Sequence, residues 1–204
     1  MEKDFTARIV GLAEVYEIAY KVSRKFFEST LNFDAVVGIA RGGLPPARLV
    51  CDFLNIKTLT AVQIRHYSPG GKAKEEVEIT DPINIDLKKK VLIVDDVNDS
   101  GKTLEAAVDH IKTKGVEIVK TAVLHEKKNT SFTADFVGAY QTEWKWLIYQ
   151  WAVTEDLLEF LKKDEMLSAD KEEMLKHLSD KYDLDVKKEL LDRVLAMKSN
   201  HSDN

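Results

Sequence analysis

Apolar and polar positions recur along this chain with two periods. From Glu14 to Phe27, Val15, Ile18, Ala19, Val22 and Phe26 fall at helical spacing and predict a covering helix. Asp34 to Ala40 is then a short apolar strand, broken by the turn residues Arg41-Gly-Gly-Leu-Pro-Pro46 and followed by a helix through Leu49, Val50, Phe53 and Leu54. A second strand near Leu59 to Tyr67 leads into SPGGKAKEEVEIT, a Gly- and Lys-rich stretch that reads as a mobile hairpin or flap. The apolar run VLIV opens a third strand at Val91. Behind it come a helix from about Lys102 to Lys114 closed by Gly115, a strand from Ile118 to Leu124 and another around Asp135 to Tyr140. Strands alternating with helices predict an α/β fold with a mainly parallel sheet flanked by helices. From about Thr154 the strand signals cease; EDLLEFLKK, DKEEMLKHL and VKKELLDRVLAMK read as three short amphipathic helices before a frayed HSDN tail. In the last of them Leu190, Leu191, Val194 and Leu195 form a stripe that must be buried against the domain, a second subunit or a partner.

Composition narrows this picture rather than changing it. The 204 residues suffice for one α/β domain with a short appendage, and 44% hydrophobic with 32% charged content is that of a soluble globular chain. A formal net charge of −5 disfavours binding to nucleic acid through phosphate neutralisation. The single cysteine, Cys51, excludes an intrachain disulfide and a multi-cysteine metal site, and beside Val50 and Phe53 it reads as a small buried hydrophobe. The charged N-terminus lacks the apolar segment of a signal peptide and no run is long enough for a membrane span, so the cytoplasm is the expected compartment, without a membrane partner.

Candidate chemistry concentrates in VLIVDDVNDSGKTL, Val91 to Leu104. Asp95 and Asp96 are expected to end the strand; adjacent carboxylates cannot both enter an apolar core, so at least one should face solvent, a cation or a sugar diol. The following Asn98-Asp-Ser-Gly-Lys-Thr103 offers consecutive amides in a tight glycine loop, two hydroxyls and the positive end of a helix starting near Lys102, the groups that hold a phosphate monoester. The pattern asks for a ligand with a diol and a phosphate a few ångströms apart, such as a ribose 5-phosphate. Ordinary helix capping needs one acceptor, whereas three carboxylates and two hydroxyls stand here. Nor is this the two-glycine nucleotide loop, since only one glycine is present and the acids precede it.

These residues resemble the phosphoribosyl pyrophosphate (PRPP) signature of the type I phosphoribosyltransferases: two acids after an apolar strand, then a Ser/Thr-Gly-x-Thr loop. The resemblance implies that Asp95 and Asp96 hold the ribose hydroxyls with Mg²⁺ nearby, and that Asp99, Ser100, Gly101, Lys102 and Thr103 wrap the 5-phosphate. An Asp at position 99 is similar to the branch acting on 6-oxopurines, where it faces the imidazole side of the base as general base or hydrogen-bond acceptor. GIARGGLPPA resembles the family's pyrophosphate loop, with Arg41 and Gly42 at the matching positions. QIRHYSPGGKAKEEV resembles its closing flexible loop, about 65–80, with Arg65 and Tyr67 against the pyrophosphate; His66 stands where the family has serine. LHEKKNTSFTADFVGAYQTEWKWLIYQW resembles the base-binding hood, about 125–155: Lys127 or Lys128 donates to the 6-oxo group, Trp146 stacks on the ring and the Leu147 backbone reads the base edge. Ala152 follows Trp151 where relatives often carry an acid for a second Mg²⁺, and Glu155 or Asp156 is the available substitute.

On this resemblance residues 1–155 are the phosphoribosyltransferase domain and 156–204 a helical C-terminal extension. The implied function is purine salvage: transfer of ribose 5-phosphate from PRPP to hypoxanthine, guanine or xanthine, with Mg²⁺ as cofactor and a homodimer as assembly. Two alternatives remain, a PRPP- or nucleotide-sensing regulator on the same fold and an enzyme for another base such as adenine or a pyrimidine. A full catalytic set, with Asp99, Arg41 and a base pocket, speaks for the 6-oxopurine enzyme.

Overall fold

The computed structural model describes residues 5–29, 31–67, 76–81 and 90–201, with side chains left out at 65–67, 76, 77 and 81. Half of the flap expected at 65–80, residues 68–75, therefore lies outside the described residues, together with the side chains of Arg65 and Tyr67. Residues 13–143 form one unit, and residues 1–12 with 144–204 a second.

The larger unit is built on six strands: β2 (Ala35–Ala40), β3 (Thr58–Tyr67), β4 (Glu76–Asp81), β5 (Lys90–Asn98), β6 (Ile118–Lys127) and β7 (Phe136–Gln141). Their order is β4-β3-β2-β5-β6-β7; every neighbouring pair is parallel except the β3–β4 hairpin. The strand period of two explains how this sheet is covered. Val91 and Ile93 of β5 join Leu104, Ala107, Val108 and Ile111 of α3 (Lys102–Lys112). Leu92 and Val94 pack on the other face with Val22 and Phe26 of α1 (Leu12–Glu28) and Ala47, Val50 and Cys51 of α2 (Leu44–Leu54). Cys51 is a buried free thiol, the apolar filler its neighbours predict, and burial raises its pKa.

The smaller unit pairs β1 (Ala7–Val10) with β8 (Trp146–Tyr149) in parallel, and adds α4 (Val153–Lys163), α5 (Lys171–Tyr182) and α6 (Lys188–Ala196). Its core joins Ala7 and Ile148 to Leu157, Leu161, Leu178, Leu191 and Val194. The apolar stripe of the last helix is thus covered within its own unit, and the three helices stand where their periodicity placed them. The two four-residue strands were not expected, because so short a segment shows hardly one cycle of alternation.

Candidate active site

The alternation that buries Val91 to Val94 continues into the acids, so Asp95 and Asp96 leave opposite faces of β5. Asp96 meets the turn after β2: a Cβ on Gly42 would stand 2.3 Å from its Oδ2, so a side chain there would displace the Asp96 carboxylate. At Gly43 a Cβ would be 2.5 Å from the Val94 carbonyl oxygen. Arg41 is exposed on the same turn, and its peptide bond to Ala40 is cis. The sequence GIARGG thereby brings its backbone against the acid pair, and α2 starts beyond it without a side-chain cap.

Asp95 is buried and accepts from the Asp96 N–H at 2.9 Å, while Asp96 accepts from the Val97 N–H at 2.7 Å. Burial first, then the neighbouring Asp96 charge, pushes the Asp95 carboxyl well above the usual carboxylate range. The acids do not end the strand as expected. Because both carboxylates fold back on their own backbone, pairing with β6 continues to Asn98 opposite Glu126. Asn98 also departs from the phosphate-loop reading, since its side chain is buried and donates to Glu126 and to the Phe132 carbonyl.

Asp99 and Ser100 are exposed at the tip, and Gly101 takes φ of 92°, a conformation that favours glycine. A Cβ there would also strike the Phe132 nitrogen at 2.5 Å. Gly101 is the N-cap of α3 and no side chain caps it, so neither Asp99 nor Ser100 has the capping role that competes with ligand binding. The first helical bond runs from the Glu105 N–H to the Gly101 carbonyl, which leaves the helix itself no use for the amides before it. Lys102 is exposed and Thr103 half-buried in the first turn.

The two candidate lysines separate clearly. Lys127 ends β6 with its side chain 5% exposed, and its Nζ donates to Asp99 Oδ2 at 2.5 Å. Lys128 is exposed in the turn that follows. Trp146 and Leu147 stand on β8 in the other unit. There the Trp146 N–H donates to the Thr6 carbonyl at 2.8 Å and its partly exposed indole stacks on Phe5, while Leu147 is buried. Trp151 lies flat on Tyr149 and Asp156 is buried in α4.

Sequence reasoning passed over Glu126 and the segment Thr130–Ala134, which hold the loop from behind. The signal was available: His125-Glu126-Lys127 places three polar residues directly after the apolar run Ala122–Leu124.

Among the described residues no group of three or more His, Cys, Asp or Glu is arranged to hold a metal by itself. The acid pair offers hard oxygen donors of the kind that hold Mg²⁺ when substrate phosphates and water complete its shell, so these residues fit a metal shared with the substrate.

Glycine turn, acid pair, uncapped helix and lysine all gather at the carboxyl ends of β2, β5 and β6, where the strand order turns from one direction to the other. That is the ligand crevice of an open α/β sheet. The chain belongs to the phosphoribosyl transferase domain family, which matches residues 8–152. It is 31% identical over 142 residues to a hypoxanthine-guanine phosphoribosyltransferase of Aquifex aeolicus, covering 67% of this chain and 75% of that one. It is 32% identical over 102 residues to the transcriptional regulator GfcR of Methanobrevibacter smithii, spanning 48% of this chain and about half, 51%, of the relative. Its fold is similar to the crystal structure of a purine phosphoribosyltransferase from Pyrococcus horikoshii, with a TM-score of 0.62, 35% identity, and coverage of 72% of this chain and 94% of that one.

Proposed function

We propose that this chain transfers ribose 5-phosphate from PRPP to ring nitrogen 9 of a 6-oxopurine, releasing pyrophosphate and forming the nucleoside monophosphate, a purine salvage reaction. The observation that carries this reading is the pairing of Lys127 with Asp99 beside an uncapped helix. A donor for a ring carbonyl and an acceptor for a ring N–H stand next to an amide cradle suited to a phosphate.

In this reading the amides from Asp99 to Thr103 hold the 5-phosphate and Asp95 and Asp96 accept from the ribose hydroxyls. Arg41 and the Gly42 backbone hold the pyrophosphate as charge develops on it, which is where preorganised donors contribute most to rate. Asp99 accepts the proton at the imidazole side of the purine, and Lys127 turns from Asp99 to the 6-oxo oxygen. Asp95 and Asp96 would hold Mg²⁺ on the protein side, and the ion would supply further neutralisation of charge on the pyrophosphate. A 6-oxopurine is favoured over adenine because an ammonium donates to a carbonyl and is mismatched against an exocyclic amine.

A regulator that senses PRPP alone has no use for a lysine that recognises a base, and the Asp99–Lys127 pair supports the enzyme over that form of it. The reading further takes the cytoplasm as the compartment and a second copy of the chain as partner. What supports a second copy is the row of exposed aromatic side chains Tyr16, Tyr20 and Phe27 on α1.

The donor half is tested by calorimetric titration of PRPP into the full chain with Mg²⁺ present. One PRPP bound per chain, displaced by pyrophosphate, is the expected result; a titration without heat or competition contradicts the reading.

A further inference from the structure

We propose that Glu126 is a positioning residue for the phosphate loop, acting on it from both sides without touching substrate; the inference rests on the functional reading above for the ligand it serves. Glu126 is the penultimate residue of β6 and is 3% exposed. A carboxylate buried so deeply must have donors around it. Its Oε2 takes two, the Asn98 side-chain N–H at 2.9 Å and the Ala134 backbone N–H at 2.7 Å.

Each donor leads to the loop. Asn98 is the last residue of β5 and immediately precedes Asp99, and its side chain also donates to the Phe132 carbonyl at 2.7 Å. Glu126 therefore fixes the point from which the loop departs. On the other side, Ala134 ends the segment that backs the loop. Within it Ser131 donates twice to the Ser100 carbonyl, from its N–H at 3.0 Å and its hydroxyl at 2.8 Å. The Phe132 nitrogen closes the space beside Gly101.

Pinning the Ser100 carbonyl has a direct effect on the anion cradle. A trans peptide is planar, so its C=O and the next N–H point in opposite directions. With the Ser100 oxygen held by Ser131, the Gly101 N–H is aimed away from the backing segment, and Gly101 has no side chain to obstruct it. Glu126 thus sets the orientation of amides that otherwise lack a side-chain cap to organise them.

The role asks for an oxygen acceptor at the Oε2 position. Glu126→Gln retains one, whereas Glu126→Ala leaves two buried N–H groups without an acceptor. In ligand-free protein, exchange of the hydrogen-bonded amides of Ser131 and Ala134 behind the loop and of Glu105 at the start of α3 is expected to quicken by about tenfold in Glu126→Ala, with β2 and β3 unchanged, and to stay near wild type in Glu126→Gln. In turnover assays Glu126→Ala is expected to raise the KM for PRPP by about tenfold while the purine KM stays within about twofold, again with rescue by glutamine. Exchange that quickens uniformly across the sheet, or equal shifts in both KM values, would show a merely structural residue and overturn the proposal. So would unchanged behaviour of Glu126→Ala. Failure of the wild type to bind PRPP would retire the functional reading alone, because the exchange experiment needs no ligand.

Discussion

Asp99 has two partners in prospect, the Lys127 ammonium it holds at 2.5 Å and, on the proposed reading, the imidazole side of a purine. Its side chain is 48% exposed, whereas that of Lys127 is 5% exposed, so the acid is the member of the pair placed to meet an incoming base. Removing its charge should act on the chemical step. Asp99→Asn is expected to lower the turnover number by about 10² to 10⁴, the span of general acid–base catalysis, and to change PRPP affinity far less. Equal losses in turnover and in calorimetric PRPP affinity contradict this role. At this scale the acids, Gly42 and Gly101 were legible because few residue types satisfy their geometry. The choice between Lys127 and Lys128 was not, since two adjacent lysines differ only in whether the strand has ended, and pairing of β6 runs three residues beyond its apolar stretch. Glu126 was hidden for the same reason: its donors, Asn98 and Ala134, are 28 and 8 residues away.

Among the elements, long apolar runs and helical stripes were readable and short or polar-ended ones were not. β5 continues through Asp95 and Asp96 to Asn98 because those carboxylates turn to their own backbone, a local interaction that hydrophobic patterning does not register. The end of α4 offers another interaction of that kind. Asp164, just past its last turn, accepts from His177 Nε2 at 2.7 Å and Tyr182 Oη at 2.6 Å, and from Lys181. It thereby ties α4 to α5. Burial opposes its ionisation, but Lys181, Tyr182 and His177 outweigh this and hold its carboxyl well below the usual carboxylate range, while the Tyr182 hydroxyl is pushed up by burial and by Asp164. A depressed folded pKa contributes stability above the unfolded value of about 3.9, and that contribution is lost as pH falls toward the folded value. Asp164→Ala is expected to lower Tm by roughly 4–8 °C at pH 7, from about 2 kcal/mol of charged hydrogen bonding. The gap between wild type and variant should narrow steadily below about pH 4 in thermal scans. A gap that is constant down to pH 2 contradicts the assignment.

For the whole molecule, alternating strand and helix signals were enough to foresee an α/β chain with a mainly parallel sheet, and the observed order β4-β3-β2-β5-β6-β7 follows that class. The strand β1 was invisible because its partner β8 lies more than 130 residues on, and a parallel pairing of that kind leaves no local mark. The site owes its position to the sheet. Three strands deliver their carboxyl ends to one edge, each carrying one part of the proposed site: the glycine turn, the acids with the amide loop, and the lysine. Binding of PRPP by these parts does not by itself separate an enzyme from a sensor. Product formation does, and the most direct test is turnover of the purified full chain with Mg²⁺ and PRPP on hypoxanthine, guanine, xanthine and adenine offered separately. Pyrophosphate and the matching nucleoside monophosphate are expected from at least one 6-oxopurine, with adenine markedly poorer. Absence of product from every 6-oxopurine, or adenine as the best acceptor, would contradict the proposed function.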